Sequence, residues 1–452
     1  MNELLEDAAK RAIAYLEGLN SRSVAPTPEA IGKLKLLDER LPEELSDPAR
    51  TLEFLDEVCS PASMAMAGPR FFGFVIGGSL PVSLAANWLA GAWDQNSAFY
   101  NATPATAQLE QVALRWLLDL FDLPRDCGGG FVTGATVANF TALAAARNAV
   151  LKRGGWNVEA DGLFGAPPIT VIVGGEVHVS PIKALGMLGL GRSRLIKVPV
   201  DNQGRMRADS LPKLSGPTIV LVQAGNVNTG AFDPIDEICE IAHQAGAWVH
   251  VDGAFGLWAM VTPSMTHLTA GIAKADSWAT DFHKWLNVPY DSGLALVRDA
   301  DALQAAMAVT AEYLPTASPY RNPSDFAPEL SRGARGVEVW AALRALGRKG
   351  IIDLIERNCR QARRFAEGLQ SAGYQVLNDV VLNQVLVSFG DAQITRDVIS
   401  GIQSDGNCWC GGTVWQGQTA MRISVSSWAT TDEDVERSLE AMLRVARNVY
   451  RN

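Results

Sequence analysis

Short apolar segments alternate with helical patterns between residues 71 and 335. Four of these segments are apolar at nearly every position, and they cover residues 169–173, 218–224, 248–252 and 294–297. A strand with one solvated face is apolar only at every second position, so these runs indicate strands buried on both faces of a parallel sheet. The pattern therefore predicts a large α/β domain over residues 71–335.

The sequence changes character on either side of this domain. Residues 1–70 carry short helical patterns interrupted by prolines, which predicts an N-terminal helical arm that packs on another surface, such as a second subunit. After residue 335, long helical patterns are followed by strand-like segments at 374–377, 385–389 and 420–425 and by a last helix over 432–450. This order predicts a small C-terminal α+β domain over residues 336–452.

The composition excludes several classes of function. The 452 residues are 48% hydrophobic and 19% charged, which is enough for a large buried core. The 39 basic and 49 acidic residues give a net charge of −10 without a Lys/Arg-rich run, so nucleic acid is not an expected partner. No segment approaches the ~20 apolar residues of a membrane span, so no membrane partner is expected.

The six cysteines form no disulfide pattern, so a reducing, cytoplasmic location is expected. Cys408 and Cys410 are an isolated pair without a nearby histidine, whereas structural zinc takes four ligands. No metal site is therefore expected.

Two chemically interesting residues stand where a parallel sheet holds its ligands, at the carboxyl ends of strands. Asp252 ends an apolar strand and is followed by small residues, so its carboxylate can lie under a flat ligand. Lys284 follows another short strand 32 residues later, which leaves room for a loop and a crossover helix. A lysine amine attacks carbonyls once burial or a nearby cation lowers its pKa, so Lys284 is a candidate for capturing an aldehyde.

Two further features indicate phosphate binding and ring stacking. The glycine-rich segment 128–136 leads into the Ala-rich helical run 137–150, and the free N–H groups of a helix N-terminus bind phosphate. His178 follows the predicted strand 169–173, where an imidazole can stack on a ring or transfer a proton. Each feature alone has a common structural explanation, but together they are what pyridoxal 5'-phosphate (PLP) requires.

These segments resemble the group II PLP-dependent decarboxylases, a family that includes aromatic L-amino-acid, glutamate, histidine and diaminobutyrate decarboxylases. The most specific segment is Asp281-Phe282-His283-Lys284-Trp285, which is similar to the family's His-Lys-Trp cofactor signature. Residues 69–74, 228–233 and 250–255 are also similar. The resemblance implies a fold-type I PLP-dependent transferase fold with a mostly parallel, seven-stranded sheet, and a homodimer with active sites at the interface.

The resemblance also implies roles for individual residues. Lys284 would hold the cofactor aldehyde covalently, Asp252 would pair with the pyridine nitrogen, and His178 would stack on the ring opposite Ala254. Tyr313, 29 residues after the lysine, would protonate the substrate's Cα. The residues expected at the phosphate are Ala135, Thr136, His283 and, across the dimer interface, Ser331. The residues expected at the substrate are Phe74 and Arg422.

The expected reaction is PLP-dependent decarboxylation of an L-amino acid to its amine and CO2. An aromatic substrate is favoured because aromatic side chains at positions 71, 72, 74, 93, 99 and 100 can supply a flat apolar pocket. The alternatives are an acidic substrate, a PLP-dependent carbon–carbon lyase, an aldehyde-forming oxidative deaminase and a non-catalytic binding protein. The chain departs from the family at Asp281-Phe282, where many relatives have Asn-Pro, and at Gly134 and Thr136, which replace phosphate-loop serines. These changes leave the substrate open.

Overall fold

The computed structural model describes residues 1–309 and 320–451. Within these ranges the chain forms two compact units. The terminal unit combines Met1–Gly78 with Gln361–Leu377 and Val385–Asn452, and the sheet unit combines Ser79–Arg360 with Asn378–Gln384. The three-part division expected from the sequence, with bounds at residues 70 and 335, stays a prediction.

The sheet unit contains seven strands that form a single sheet. The strands are β1 (Gly128–Val132), β2 (Thr170–Gly174), β3 (Ile196–Val198), β4 (Thr218–Gln223), β5 (Trp248–Asp252), β6 (Ser277–Asp281) and β7 (Gly293–Val297). Their spatial order is β1-β7-β6-β5-β4-β2-β3. Strands β3, β2, β4, β5 and β6 are parallel neighbours, and β7 runs antiparallel to both β6 and β1. The predicted α/β class with a mostly parallel sheet is confirmed, and β2, β4, β5 and β7 match the four apolar segments to within one residue at each end.

The helices alternate with these strands and continue into the terminal unit. In chain order they are α1 (Asn2–Gly18), α2 (Pro28–Lys33), α3 (Pro48–Ala62), α4 (Pro81–Trp93), α5 (Pro104–Leu120), α6 (Ala135–Arg153), α7 (Val158–Asp161), α8 (Val179–Met187), α9 (Ile235–Gln244), α10 (Ala300–Met307), α11 (Gly336–Ser371), α12 (Ala392–Asp405) and α13 (Asp432–Val449). Helix α11 is interrupted at Gly347, whose φ of 58° and ψ of 176° are not helical.

Helix α6 packs closely on the sheet because its buried face is made of small side chains. Ala138, Ala142 and Ala145 are fully buried in one core cluster with Ala279 of β6 and Ala295 of β7. Small residues let the helix backbone approach the strands closely. The linker between β1 and α6 is only two residues long, Thr133 and Gly134. The sheet therefore fixes the position of the helix N-terminus.

The glycine-rich segment before α6 is a buried edge strand, which the sequence pattern did not predict. All five residues of β1 are buried. A Cβ on Gly130 would lie 2.0 Å from the carbonyl oxygen of Phe326, and one on Gly129 would lie 2.4 Å from Leu114 Cδ1. Any larger residue would clash at these two positions, so the glycines serve close packing within β1.

The terminal unit is built on a second, smaller sheet. Its strands are β8 (Gln375–Val376), β9 (Gln384–Ser388), β10 (Gly411–Trp415) and β11 (Gln418–Ser424), in the spatial order β10-β11-β9-β8. Pro28 and Pro48 are the first residues of α2 and α3, where a helix needs no N–H donor, so two of the prolines that interrupt the sequence pattern begin helices. Over the described part of the chain, no helix combines the length and apolar character needed to cross a bilayer.

Candidate active site

A cavity of about 350 Å³ lies in the sheet unit beyond the carboxyl ends of β2 and β6. It is lined by the first turn of α6 and by His178, Asp281, His283, Lys284 and Tyr290. The structure thus places five of the predicted site residues around one space, namely Ala135, Thr136, His178, His283 and Lys284. A larger cavity of about 750 Å³ in the same unit is lined by both charged and apolar residues and contains none of the predicted site residues.

Lys284 lies on the loop after β6, with its side chain largely buried. Its Nζ is 3.6 Å from Asp281 Oδ2 and 5.8 Å from the centroid of the Phe255 ring. The amine therefore lies between a carboxylate and an aromatic face, at the lining of the cavity.

Asp281 connects the lysine to the helix that was expected to bind phosphate. It is the last residue of β6, its side chain is only 4% exposed, and its Oδ1 accepts a hydrogen bond of 2.7 Å from the N–H of Ala135. Burial raises the pKa of the Asp281 carboxyl to about 6, against the lowering effects of Lys284 and of the Ala135 N–H. The carboxyl therefore changes charge close to neutral pH.

His283 is neutral at neutral pH. Burial, together with the nearby charge of Lys284, lowers the pKa of its imidazole to about 3. Its ring stacks on Tyr290 with ring centroids 4.1 Å apart. Its Nδ1 is buried, 3.5 Å from Asp281 Oδ1, and has no hydrogen-bond partner within the described ranges. Buried polar atoms are rarely left unpaired, so this nitrogen is suited to a ligand in the cavity.

His178 also lines the cavity, where hydrogen bonds hold it in a fixed orientation. It is the N-cap residue of α8, where its Nδ1 accepts a hydrogen bond from the N–H of Ser180 and lies 2.8 Å from Ser180 Oγ. The backbone N–H of His178 donates a hydrogen bond of 3.3 Å to Gln223 Oε1. An imidazole fixed through one nitrogen can present its face to a flat ligand.

Asp252 and Ala254 lie just outside the set of residues that line the cavity. Asp252 is buried at the end of β5, and its Oδ1 accepts a hydrogen bond of 3.2 Å from the Ala254 N–H. The carbonyl of Ala254 accepts a hydrogen bond of 3.0 Å from the Asp281 N–H, which ties the loop after β5 to the end of β6. The predicted carboxylate thus ends β5, and the predicted lysine lies on the loop that follows the neighbouring parallel strand β6.

The remaining predicted residues are not at this cavity in the described chain. Ser331 is exposed. Phe74 and Arg422 belong to the terminal unit, where Phe74 is 56% exposed and burial lowers the pKa of the Arg422 guanidinium to about 10. Tyr313 lies outside the described residues. The aromatic side chains at positions 71 and 72 are buried in the terminal unit, so they form its core instead of an open pocket surface.

Asp281 and Tyr290 line the cavity, although the sequence predicted no role for either of them. The signal for Asp281 was present, because it ends the short strand that precedes Lys284. Tyr290 gave no local signal, since only the return of the loop places its ring against His283. Burial raises the pKa of the Tyr290 hydroxyl to about 12, so this side chain is neutral over the ordinary pH range.

The residues around the cavity fit PLP. The cofactor needs an amine for its aldehyde, an anion site for its phosphate and a flat enclosure for its ring. Among the residues that line the cavity, Lys284 carries an amine and His178 a planar ring, so these two groups would fit the aldehyde and the ring. The N–H groups in the first turn of α6 are suited to an anion, and His283 lines the cavity beside them. Fold and site together define a fold-type I PLP-dependent enzyme.

The comparison with known proteins agrees with this class. Residues 32–390 match the family model for the pyridoxal-dependent decarboxylase conserved domain, so the chain belongs to the pyridoxal-dependent decarboxylase family and uses PLP as its cofactor. The predicted resemblance to the group II decarboxylases is confirmed. Membership makes the chain a PLP-dependent carboxy-lyase that acts on an amino acid.

Individual relatives differ in substrate. The aromatic-L-amino-acid decarboxylase of Bacillus atrophaeus is 28% identical over 77% of this chain and 72% of its own length. The acidic amino acid decarboxylase GADL1 of Mus musculus is 28% identical over 75% of this chain and 64% of its own length. The crystal structure of Oryza sativa TDC with PLP and tryptamine has a TM-score of 0.91, with 22% identity over 99% of this chain and 97% of that chain, which establishes the same fold.

Proposed function

We propose that this decarboxylase acts on an aromatic L-amino acid and releases the corresponding amine and CO2, with PLP held on Lys284. The observation that carries the site assignment is the position of the Lys284 amine in a cavity bounded by His178 and by the N-terminus of α6. The match to an aromatic-L-amino-acid decarboxylase over most of the chain supports the aromatic substrate. An acidic amino acid is the alternative, which the similarity to GADL1 supports.

Some residues of the sheet unit are suited to bind the cofactor, and others to set the protonation and orientation of its ring. Bound PLP supplies an electron-accepting ring that takes up the negative charge left at the substrate's Cα when CO2 departs. The buried carboxylate of Asp252 is suited to hold a proton on the ring nitrogen, and His178 is suited to orient the ring by stacking. His283 and the first turn of α6 are suited to hold the phosphate. Tyr313 remains the predicted proton donor to Cα.

The exposed face of α4 supports a homodimer. Four large apolar residues of this helix are each at least 40% exposed, namely Val82, Trp88, Leu89 and Trp93. Apolar residues concentrated on one exposed helix mark an interaction surface, and a second copy of the chain is the proposed partner. The cytoplasmic location expected from the cysteine usage stays a prediction.

The dimer is tested by light scattering after size-exclusion chromatography. We expect the wild-type chain to elute with twice the chain mass and Trp88→Glu to elute as a monomer. Phe164→Glu is the matched control, because Phe164 is also an exposed aromatic residue of the sheet unit but lies outside α4. A monomeric wild-type protein, or a dimer unaffected by Trp88→Glu, would contradict the proposal.

The cofactor assignment is tested by reducing the PLP-loaded protein with borohydride and mapping the labelled peptide. We expect the label on Lys284 and an absorbance band at about 420 nm before reduction. Lys284→Ala should abolish both signals, whereas Lys274→Ala should leave them intact because Lys274 is an exposed residue paired with Asp236 and Glu240. Label on any other lysine would overturn the assignment.

The substrate is tested with a panel of L-amino acids and detection of the products by mass. We expect aromatic amino acids to be converted to amines with the highest kcat/KM. Preferred conversion of an acidic amino acid would refute the aromatic proposal. An aldehyde with peroxide and ammonia would indicate an oxidative deaminase, and products of carbon–carbon cleavage would indicate a lyase.

A further inference from the structure

We propose that Asp281 couples cofactor loading to proton uptake: its carboxyl group, which lies on the N-terminus of α6 beside Lys284, must become neutral before the PLP phosphate binds there. The inference rests on the proposed function, because it takes the N-terminus of α6 as the phosphate site. It concerns the protonation state of a carboxyl group that is buried at the end of β6, three residues before Lys284.

Asp281 already acts as the anion at this helix N-terminus. The N-cap residue Gly134 has no side chain to accept the first N–H groups, and the Ala135 N–H donates to Asp281 Oδ1 at 2.7 Å. The contact is close, since a Cβ on Gly134 would lie 3.1 Å from the same oxygen. An incoming phosphate therefore meets a carboxyl group that already uses one of the donors it needs.

The charges around Asp281 do not compensate for a second anion. Among the described groups that face it, Lys284 is the cation, and its amine is the group that the cofactor aldehyde consumes. His283 adds no positive charge, because burial and the charge of Lys284 lower the pKa of its imidazole to about 3. Asp252, at the end of β5, favours the neutral form of Asp281, and Tyr290 is a neutral phenol.

A proton on Asp281 resolves this conflict. Two anions that share one buried site repel each other, and the site then favours a shared proton. The protonated carboxyl becomes an O–H donor toward the phosphate, which turns repulsion into a charge-assisted hydrogen bond. Burial already raises the pKa of this carboxyl to about 6, so the required proton is available close to neutral pH.

The size of the effect follows from the fraction of protein in the binding-competent form. With a pKa of about 6, roughly half of the protein has a neutral Asp281 at pH 6 and about 1% has it at pH 8. The apparent Kd for the phosphate ligand should therefore rise about tenfold per pH unit above pH 6 through Asp281 alone, or about 100-fold at pH 8.

The test uses pyridoxamine 5'-phosphate, which carries the phosphate and the ring but has no aldehyde to react with Lys284. Its Kd is measured by tryptophan fluorescence between pH 6 and pH 8 for the wild type, Asp281→Asn and Asp276→Asn. Asp276 is the matched control, because it immediately precedes β6 at the opposite end and its carboxyl bonds to the Val249 N–H and to His243. Calorimetry in two buffers of different ionisation enthalpy counts the protons taken up on binding.

We expect Asp281→Asn to bind about 100-fold more tightly than the wild type at pH 8 and about equally at pH 6. The wild type and Asp276→Asn should take up about one more proton at pH 8 than Asp281→Asn does. Equal pH dependence and equal proton uptake in all three proteins would overturn the inference, while borohydride labelling at Lys284 would keep the proposed function intact. Failure of the wild type to bind the ligand at any pH would overturn both. If Asp281→Asn does not fold, absence of proton uptake by the wild type alone refutes the coupling.

Discussion

His250 lies in β5, two residues before Asp252, and its fully buried ring sits between two polar partners. Its Nδ1 is 2.8 Å from Ser277 Oγ, and its Nε2 is 2.7 Å from Asn139 Oδ1. Desolvation lowers the pKa of this imidazole to about 3, well below its ordinary value of 6.5. The ring is therefore neutral in the folded protein and protonated in the unfolded chain over the range between these values.

The sign of the effect follows from proton linkage. The pKa in the folded state is lower than in the unfolded state, so between pH 6.5 and pH 3 the unfolded chain binds more protons. His250 stabilises the fold fully above pH 6.5, and this contribution is lost as the pH falls toward 3. The loss is about 1.4 kcal/mol per pH unit, which gives about 2 kcal/mol at pH 5.

The perturbation is His250→Gln, which keeps polar atoms near Ser277 and Asn139 but cannot be protonated. Urea unfolding followed by tryptophan fluorescence gives the free energy of unfolding at pH 7.5 and at pH 5. The variant will lose stability through altered packing at both pH values. The quantity to compare is therefore the difference in the free energy of unfolding between pH 7.5 and pH 5. We expect this change to be smaller in the variant by about 2 kcal/mol.

The contributions of other titrating groups cancel in this comparison. His283 has the same sign as His250, whereas the raised pKa values of Asp233 and Asp281 oppose it, but all three remain in both proteins. An identical pH dependence in the wild type and in His250→Gln would refute the reasoning, because it would mean that the folded protein protonates this ring as readily as the unfolded chain does.

Three further predictions concern carboxylates in different surroundings. Asp252→Asn should lower kcat by about 10²–10³-fold in an amine-release assay with little change in urea unfolding, and an unchanged kcat would exclude the proposed pairing with the ring nitrogen. Glu110→Gln should destabilise the fold by about 3–5 kcal/mol in urea unfolding, because it leaves the buried Arg332 guanidinium, 2.8 Å away, without its counter-ion. A loss below about 1 kcal/mol would contradict this. Glu436→Gln should cost less than about 1 kcal/mol in the same assay, because its pair with Arg364 is exposed to water, and a larger loss would argue against solvent screening there.

The sequence alone determined the class of fold and much of the candidate chemistry. Strand β5 has the predicted bounds because a strand buried on both faces must be apolar along its whole length, and that requirement is visible locally. Lys284 and His178 were predicted for a related reason, since the residues that follow a parallel strand lie at the edge of the sheet where ligands bind. Both predictions depend only on residues that are close together in the sequence.

The tertiary structure decided the features that depend on distant neighbours. From the sequence, the glycines of β1 indicate a turn before a helix. In the structure they form a strand paired with β7, and no local pattern shows this because strand pairing joins segments far apart in the chain. The bond between Asp281 and the Ala135 N–H spans 146 positions, and no local pattern encodes it. The charge states of His250, His283 and Asp281 likewise depend on desolvation by the surrounding fold, since the same side chains in an extended chain would titrate at their ordinary pKa values.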